Sequence, residues 1–455
     1  MKNMLIATAV AAALSLPVGA MAASSDELTQ IREQLQGLMQ RVDKLEQQNT
    51  ELKTENDSLK SQTDYLKAEA KGLRKDTANM AVDVNKTKGT DWASRVSLKG
   101  DLRYRYEWIS DDAVNAAGIQ TADRNRDRIR ARFNVEAKAT DTILVGLGFT
   151  TDEGGDPRSG NQTLTNEFSR KGLDLDLAYF DWKFADWGDL IGGKMKQPFY
   201  KQPQSMFWDN DVNPEGLALT FNNGMWFGSG YYYYVNEVSG LQNTTTSDTS
   251  MAGIQIGARV PIGQSQLVLA AHYYDLMAGQ RHSPFFGGSS NGNTTTTVVT
   301  APGPPPVTTQ LLTYDFNVIN LTAEFNTTLG NLPLQIWADV AENEDPSNFN
   351  QAWSGGVWLG KASNYRTFEI GAGYHHIEKD SLFAQFIDSD FGGGISDTEG
   401  WAFKAAYAPL KNWTLNATYF LNDRYVDVPL MASPTSAPQS SVGYDRLQLD
   451  FSLKF

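Results

Sequence analysis

Residues 444–455 alternate strictly: Tyr444, Arg446, Gln448, Asp450, Ser452 and Lys454 interleave with Asp445, Leu447, Leu449, Phe451, Leu453 and Phe455. Apart from Tyr444 and Asp445 at one end, this two-residue period puts Leu and Phe on one face and polar groups on the other, over the length a tilted strand needs to cross a bilayer. Such a strand can sit in lipid only if its backbone donors and acceptors are paired along both edges, which requires a closed barrel. The chain therefore reads as an all-β transmembrane barrel, and the rest of the sequence tests that reading.

The same period begins soon after a linker at 86–89. One segment carries Val96, Leu98, Leu102, Tyr104, Tyr106 and Trp108 on one face and Lys99, Asp101, Arg103, Arg105 and Glu107 on the other. The next sets Ile129, Ala131, Phe133, Val135 and Ala137 against Arg126, Arg128, Arg130, Arg132, Asn134, Glu136 and Lys138. Similar segments near 142–150, 173–184, 189–196, 215–222, 225–236, 251–261, 265–277, 312–326, 332–342, 351–361, 366–377, 400–408, 413–423 and 444–455 bring the count to sixteen antiparallel strands, with eighteen as the alternative. Short links alternate with long ones, the pattern of periplasmic turns and outer loops. A further apolar stretch at 382–387 would break that alternation if it crossed the membrane, so it belongs in an outer loop. The Thr/Gly/Pro-rich run 287–309 reads as a mobile loop tip.

The other end of the chain has a different period. Lys2, an apolar run at 4–16 and the small-residue site Ala20-Met21-Ala22 read as a secretory signal peptide over residues 1–22. A retained anchor would need about 20 apolar residues, more than are present. From 23 to 88 apolar residues repeat by sevens: Leu28, Leu35, Val42, Ala70 and Val84 at one position, and Ile31, Leu38, Leu45, Leu52, Leu59, Leu66, Leu73 and Met80 at the other. Asn49, Asn56, Thr63 and Thr77 fill the first position elsewhere. This is a coiled-coil signal, read as a periplasmic helix whose greasy seam requires partners. A solvated single helix or a hairpin packed on the barrel is the competing reading. Residues 89–455 form the barrel domain.

The strongest chemical feature is the ladder Arg126, Arg128, Arg130 and Arg132, opposite Arg103 and Arg105 on the preceding strand. An Arg facing lipid near the midplane costs about 2–4 kcal/mol, so four would cost roughly 10 kcal/mol. The ladder must face the lumen. Lys194 and Lys196 share a parity and extend the same basic wall, and Asp209 and Asp211, in the third long loop, are candidates for an opposed acidic wall. Guanidiniums at this density favour anions or carboxylate-bearing solutes if they stay unpaired. Neutralised by neighbours such as Glu107, Asp127 and Glu136, they would only stiffen the wall. Both readings stay open, as does a transverse field between basic and acidic walls.

Composition narrows the function. The net charge is −14, and −15 once Lys2 leaves with the signal peptide, which argues against nucleic acid as a partner. There is no Cys, hence no disulfide framework. Nucleophilic catalysis wants a His, a carboxylate and a Ser in reach of one another. The only His are His272, His282, His375 and His376; no Gly-x-Ser-x-Gly elbow is present, and His375 and His376 face opposite ways on a strand. No enzyme, metal site or cofactor is expected. In the run Tyr231, Tyr232, Tyr233 and Tyr234, alternate rings must face opposite sides, for interfacial anchoring first.

Ala178-Tyr179-Phe180-Asp181-Trp182-Lys183-Phe184, followed by Gly193-Lys194-Met195-Lys196-Gln197-Pro198-Phe199, resembles the strand–turn–strand passage of phosphate-selective porins O and P and of the related "putative porin" families. The layout of amino-terminal helix, sixteen-strand barrel and final aromatic resembles them too, and Phe455 is similar to the signal read by the barrel assembly machinery of Gram-negative outer membranes. The resemblance implies a trimeric outer-membrane channel. The lysine array of the phosphate-selective porins does not map onto this chain, so phosphate selectivity is not carried over. The expectation is a passive diffusion porin, a homotrimer in outer-membrane lipid with its coiled coil in the periplasm. A structural tether that links the membrane to peptidoglycan through the coil is the alternative.

Overall fold

The computed structural model describes residues 25–87, 93–113, 120–165, 167–237, 248–277, 280, 282–285, 289–301, 305–425 and 441–455. The expected signal peptide lies outside the described residues. Ser25–Thr87 form one continuous 63-residue helix, α1. Nothing in it breaks the helix: there is no Pro, and Leu, Glu, Gln, Lys and Arg dominate. Leu38, Leu45, Leu52, Leu59 and Leu66 of the heptad seam are 55–64% exposed.

Residues 96–454 build the barrel from sixteen strands: β1 (Val96–Asp111), β2 (Arg124–Lys138), β3 (Ile143–Asp152), β4 (Gly172–Ala185), β5 (Gly188–Lys194), β6 (Glu215–Asn222), β7 (Trp226–Asn236), β8 (Thr249–Ile262), β9 (Ser265–Met277), β10 (Phe316–Leu329), β11 (Leu332–Asn343), β12 (Gln351–Gly360), β13 (Thr367–Ile377), β14 (Thr398–Leu410), β15 (Trp413–Arg424) and β16 (Val442–Lys454). Each pairs antiparallel with its sequence neighbours, and β1 closes the ring on β16 with Arg105 opposite Asp450. Closure leaves no unpaired edge, which is what lipid demands. Seven turns of two to six residues alternate with eight connections of seven to 38 residues.

Parity decides what each strand shows. On β1, Leu98, Leu102 and Tyr104 are exposed on the outer face, while Arg105 and Glu107 are buried inside. Strand β4 changes parity once. Gly148 faces Leu177 and Phe149 faces Leu175, so Asp176 is a bulge with no partner. A one-residue slip swaps faces: Leu173 and Leu175 point out before the bulge, Phe180, Trp182 and Phe184 after it, and Leu177 turns inward.

Two boundaries differ in consequence from the sequence reading. Strand β5 ends at Lys194, because Gly193 at φ 113° bends the chain and Met195 donates to the Pro214 carbonyl; Lys196 is thus a loop residue. Strand β10 begins at Phe316 because Leu312 belongs to a separate hairpin, Thr295–Ala301 with Val307–Leu312. Part of the expected loop tip at 287–309 lies in that hairpin, where β-branched Thr and Val residues pair.

Two long connections turn inward. The third (195–214) buries Phe199, Phe207, Trp208 and Val212, and the seventh (378–397) buries Leu382, Phe383, Phe386, Ile387 and Phe391. Together with Tyr231, Tyr233, Met251, Tyr274, Phe316 and Val318 from strand interiors they form one apolar core inside the barrel. The apolar stretch 382–387 is therefore a buried loop segment, as its placement outside the strands anticipated.

Candidate functional site

Opposite the apolar core, β1, β2 and β16 present the arginines. The β1–β2 register sets Arg103 against Arg130 and Arg105 against Arg128. Two directly opposed like-charged pairs destabilise a sheet unless acids intervene. They do. Arg105 forms a bidentate pair with Asp450 on β16, at 2.6 and 2.8 Å, and reaches Asp390 of the seventh loop at 2.9 Å. Asp390 also holds Arg446 of β16 at 2.7 Å. Glu107, with no exposure at all, accepts from Arg446 at 2.6 Å, from Gln448 at 3.1 Å and from Arg126.

The remaining ladder members reach the loops. Arg132 meets Asp211 of the third loop at 2.5 Å; Arg130 meets Asp101 at 2.9 Å and Asp211 at 3.7 Å. Arg128 lies 3.5 Å from Glu153 and 3.8 Å from Glu107. Arg103 donates to Asn161 at 2.6 Å and lies 3.9 Å from Asp450. Among the described residues the network holds seven guanidiniums (Arg103, Arg105, Arg126, Arg128, Arg130, Arg132, Arg446) and six carboxylates (Asp101, Glu107, Glu153, Asp211, Asp390, Asp450). The wall is almost neutral, and its hydrogen bonds are of the charge-assisted, bidentate kind that fix geometry.

The structure brings together Arg103, Arg105, Arg126, Arg128, Arg130, Arg132 and Asp211, keeps Lys196 within the field of Arg130, Arg132 and Asp211, and draws Lys194 and Asp209 aside. Lys194 is drawn aside to Glu215 at 3.0 Å, and its register partner Glu215 shares a face with exposed Leu217 and Leu219, so it does not extend the ladder. Lys196 is exposed in the third loop and has no ion pair among the described residues. Asp209 faces the other loop: its carboxylate accepts from the Ser389 and Asp211 amides, and its own amide donates to the Phe386 carbonyl at 2.8 Å. Asp127 points outward and accepts from the Tyr104 hydroxyl, while Glu136 pairs with Lys99 at 2.7 Å. Of the three acids expected to neutralise the ladder, Glu107 alone does.

The two loops are clasped to each other. Trp208 stacks on Phe386 at 5.5 Å, and the Asp388 amide donates to the Met206 carbonyl at 3.0 Å. The third loop also reaches the far wall, where the Tyr200 hydroxyl donates to Glu324 and Ser205 to Asp339. Loop carboxylates feel opposite fields. Burial would raise Asp211 and Asp390, but Arg132 and Arg130 hold Asp211 down to about 2, and Arg446 and Arg105 hold Asp390 lower still. Burial, with Asp390 nearby, pushes Asp388 up to about 6; burial, then Asp388, raises Asp209.

Sequence reasoning missed Arg446, Asp450 and Asp390. The first two stand on the polar face of the final strand, and what brings them to the ladder is barrel closure between β16 and β1. Asp390 had one signal, its position just after an apolar segment that could not be a strand. The tyrosine run behaves as alternation requires: Tyr231 and Tyr233 are buried inside, Tyr232 and Tyr234 are exposed outside. His375 is buried within the barrel, and His376 pairs outside with Glu399 at 2.8 Å.

A closed sixteen-strand barrel with a charged inner wall and loops folded against it defines a membrane channel. Residues 112–302 and 307–455 match the family described as "Putative porin", and the chain belongs to it. It is an outer-membrane channel protein rather than an enzyme. In fold it is similar to OprB of Pseudomonas putida, with a TM-score of 0.50 and 12% identity over 82% of this chain and 96% of that one. Looser likenesses include OmpF of Salmonella typhi in complex with daunomycin (TM-score 0.46, 12% identity, 79% and 97% covered) and the trimer form of Vibrio cholerae OmpT (0.46, 10%, 79% and 99%). No curated protein sequence matches the chain.

Proposed function

We propose that the chain forms a water-filled channel for passive diffusion of small hydrophilic solutes and ions across the outer membrane, with a modest preference for anions. The observation that carries this reading is the opposition of the arginine wall to Asp211 and Asp390 on the two inward loops. Arg103, Arg105, Arg126, Arg128, Arg130 and Arg132 line the narrow part, and Asp211 faces them. Because that wall is nearly neutralised, anion preference rests on its one surplus guanidinium and on Lys196, the exposed cation beside it. Lys194 and Asp209 hold the third loop in place. Three copies assemble in the membrane, with α1 in the periplasm.

Reversal potentials of the purified protein in planar bilayers test this reading. A fixed charge about 4 Å from a passing ion acts by roughly 4 kcal/mol at an effective dielectric of about 20. Lys196→Glu, at a site that makes no ion pair among the described residues, should leave folding intact and move the zero-current potential in a KCl gradient toward cations. A folded protein with no conductance would overturn the channel. An unmoved potential would take the ion path away from Lys196.

A second role as an envelope tether is favoured by the length of α1. At about 1.5 Å per residue the 63-residue helix spans roughly 95 Å, enough to carry contacts toward peptidoglycan.

A further inference from the structure

We propose that α1 associates with further copies of this chain in parallel and in register, chosen by a charge code on the positions that flank its apolar seam. The inference rests on the oligomeric reading above and specifies how the copies align. The seam positions are exposed along a continuous helix, so they need an occupant, and the flanking residues say which one.

Just before successive first-position residues stand Arg41, Gln48, Glu55, Gln62 and Glu69; just after successive fourth-position residues stand Glu46, Lys53, Lys60, Lys67 and Arg74. In a parallel coil each residue of the first set meets the residue five places further along on its neighbour. The meetings are Arg41 with Glu46, Gln48 with Lys53, Glu55 with Lys60, Gln62 with Lys67 and Glu69 with Arg74. Three are opposite charges, two are Gln with Lys, and none is a like pair. All ten side chains are exposed, and among the described residues none of them is engaged in an ion pair.

The alternatives weaken this pattern. An antiparallel coil sets the second set against itself, so Lys53, Lys60, Lys67 and Arg74 would confront one another. A one-heptad slip in one direction sets Arg41 against Lys53 and keeps one opposite pair, Glu55 with Lys67; in the other it sets Arg41 against Met39 and keeps two, Glu55 with Lys53 and Glu69 with Lys67, against three in register. Either slip also leaves Asn49 of one chain against Val42 of another, and matching of polar seam residues is what fixes register in coiled coils. Arg41 and Glu46 carry the reverse sign order to the later pairs, which marks one end of the helix and gives the code direction.

The chain has no Cys, so single cysteines report alignment in the full-length protein purified in detergent. Leu38→Cys and Leu66→Cys, made separately and oxidised, should each yield disulfide-linked chains, because identical seam residues face each other at every level of a parallel, in-register coil. Antiparallel chains bring identical residues together at one crossing point alone. Cross-linking at one site only, or at neither, would overturn the proposal. The charge code is tested on the Leu66→Cys background: Lys60→Glu should lower cross-link yield several-fold, and adding Glu55→Lys should restore it. A yield that ignores both changes would leave the seam to act alone and refute the code. Conductance of the same samples separates the outcomes, since loss of the channel reading would appear there and not in the cross-links.

Discussion

On the side of the barrel formed by β1, β2 and β16, the interior is filled by guanidiniums and carboxylates, each with named partners within 3.9 Å. On the side formed by β7 to β13 it is filled by Tyr231, Tyr274, Phe316, Val318 and Ile377 beneath Trp208 and Phe386. Both halves are buried, yet they fail differently. An ion pair is directional, and removing one member leaves an unpaired charge in a low-dielectric place. Apolar packing is not directional, and losing a side chain costs transfer energy plus whatever cavity cannot collapse. The inward loops serve both halves at once. Trp208 and Asp211 lie three residues apart, as do Ile387 and Asp390 only slightly further along the other loop, so each loop packs grease on one side and places an acid on the other.

The sharpest way to break this comparison is Glu107→Ala. That carboxylate is fully buried and accepts from Arg126, Arg446 and Gln448. Its loss strands Arg126, which has no other ion pair among the described residues, and takes one carboxylate from Arg105 and from Arg446 at the closing seam; breaking a buried pair costs about 3–5 kcal/mol. The temperature at which the folded band is lost on electrophoresis should fall more than for any single apolar truncation in the opposite half, with Glu107→Gln intermediate. Equal losses for Glu107→Ala and an apolar truncation would erase the proposed distinction.

Trp208→Ala addresses the other half. A buried Trp-to-Ala change costs up to about 3–5 kcal/mol where the site cannot collapse, but here the debt falls on the clasp between loops and not on strand pairing. Trp208 touches Phe199, Tyr274 and Phe386. Single-channel conductance should rise as the third loop loosens, while the unfolding temperature falls less than for Glu107→Ala. A barrel that unfolds as readily as the Glu107 variant would mean that the apolar core supports the wall as well as the loops.

Much of the barrel was legible because its code is local. Alternation, turn spacing and the cost of lipid-facing arginines are readable within ten residues, and they placed sixteen strands and turned Arg126, Arg128, Arg130 and Arg132 inward. What was not legible depends on distant partners. Arg105 meets Asp450 across 345 positions of sequence, a contact created by closure. The bulge at Asp176 and the bend at Gly193 are single-residue events that reverse or end a strand, and parity counted through them misassigns Lys194 and Lys196 to one wall. Asp209 and Asp211 look interchangeable in sequence. Their two-residue separation sends one to the clasp and the other to the arginines.

The smallest expected effect lies in that clasp and is a matter of pH. Burial and Asp390 raise Asp388 to about 6, and burial with Asp388 raises Asp209; an open loop would titrate both near the usual value of about 3.9. The closed clasp therefore binds protons that the open one releases, so its stability is fully present below pH 4 and declines as pH rises through 6. At about 1.4 kcal/mol per pKa unit the full change at Asp388 is on the order of 3 kcal/mol, about half of it between pH 5 and 7.5. Asp211 and Asp390 have the opposite sign, depressed values whose contribution is lost only near pH 2 or below, outside the window. Lys201, which donates to the Trp208 and Asp209 carbonyls, is lowered by burial to about 8 and stays charged through most of it. After correction for intrinsic exchange rates, the amides of Asp209 and Ser389, both hydrogen-bonded across the clasp, should be better protected at pH 5 than at pH 7.5, and Asp388→Asn should flatten the difference. Protection that instead grows with pH would mean the arginine-paired acids, and not Asp209 and Asp388, govern how tightly the two loops close.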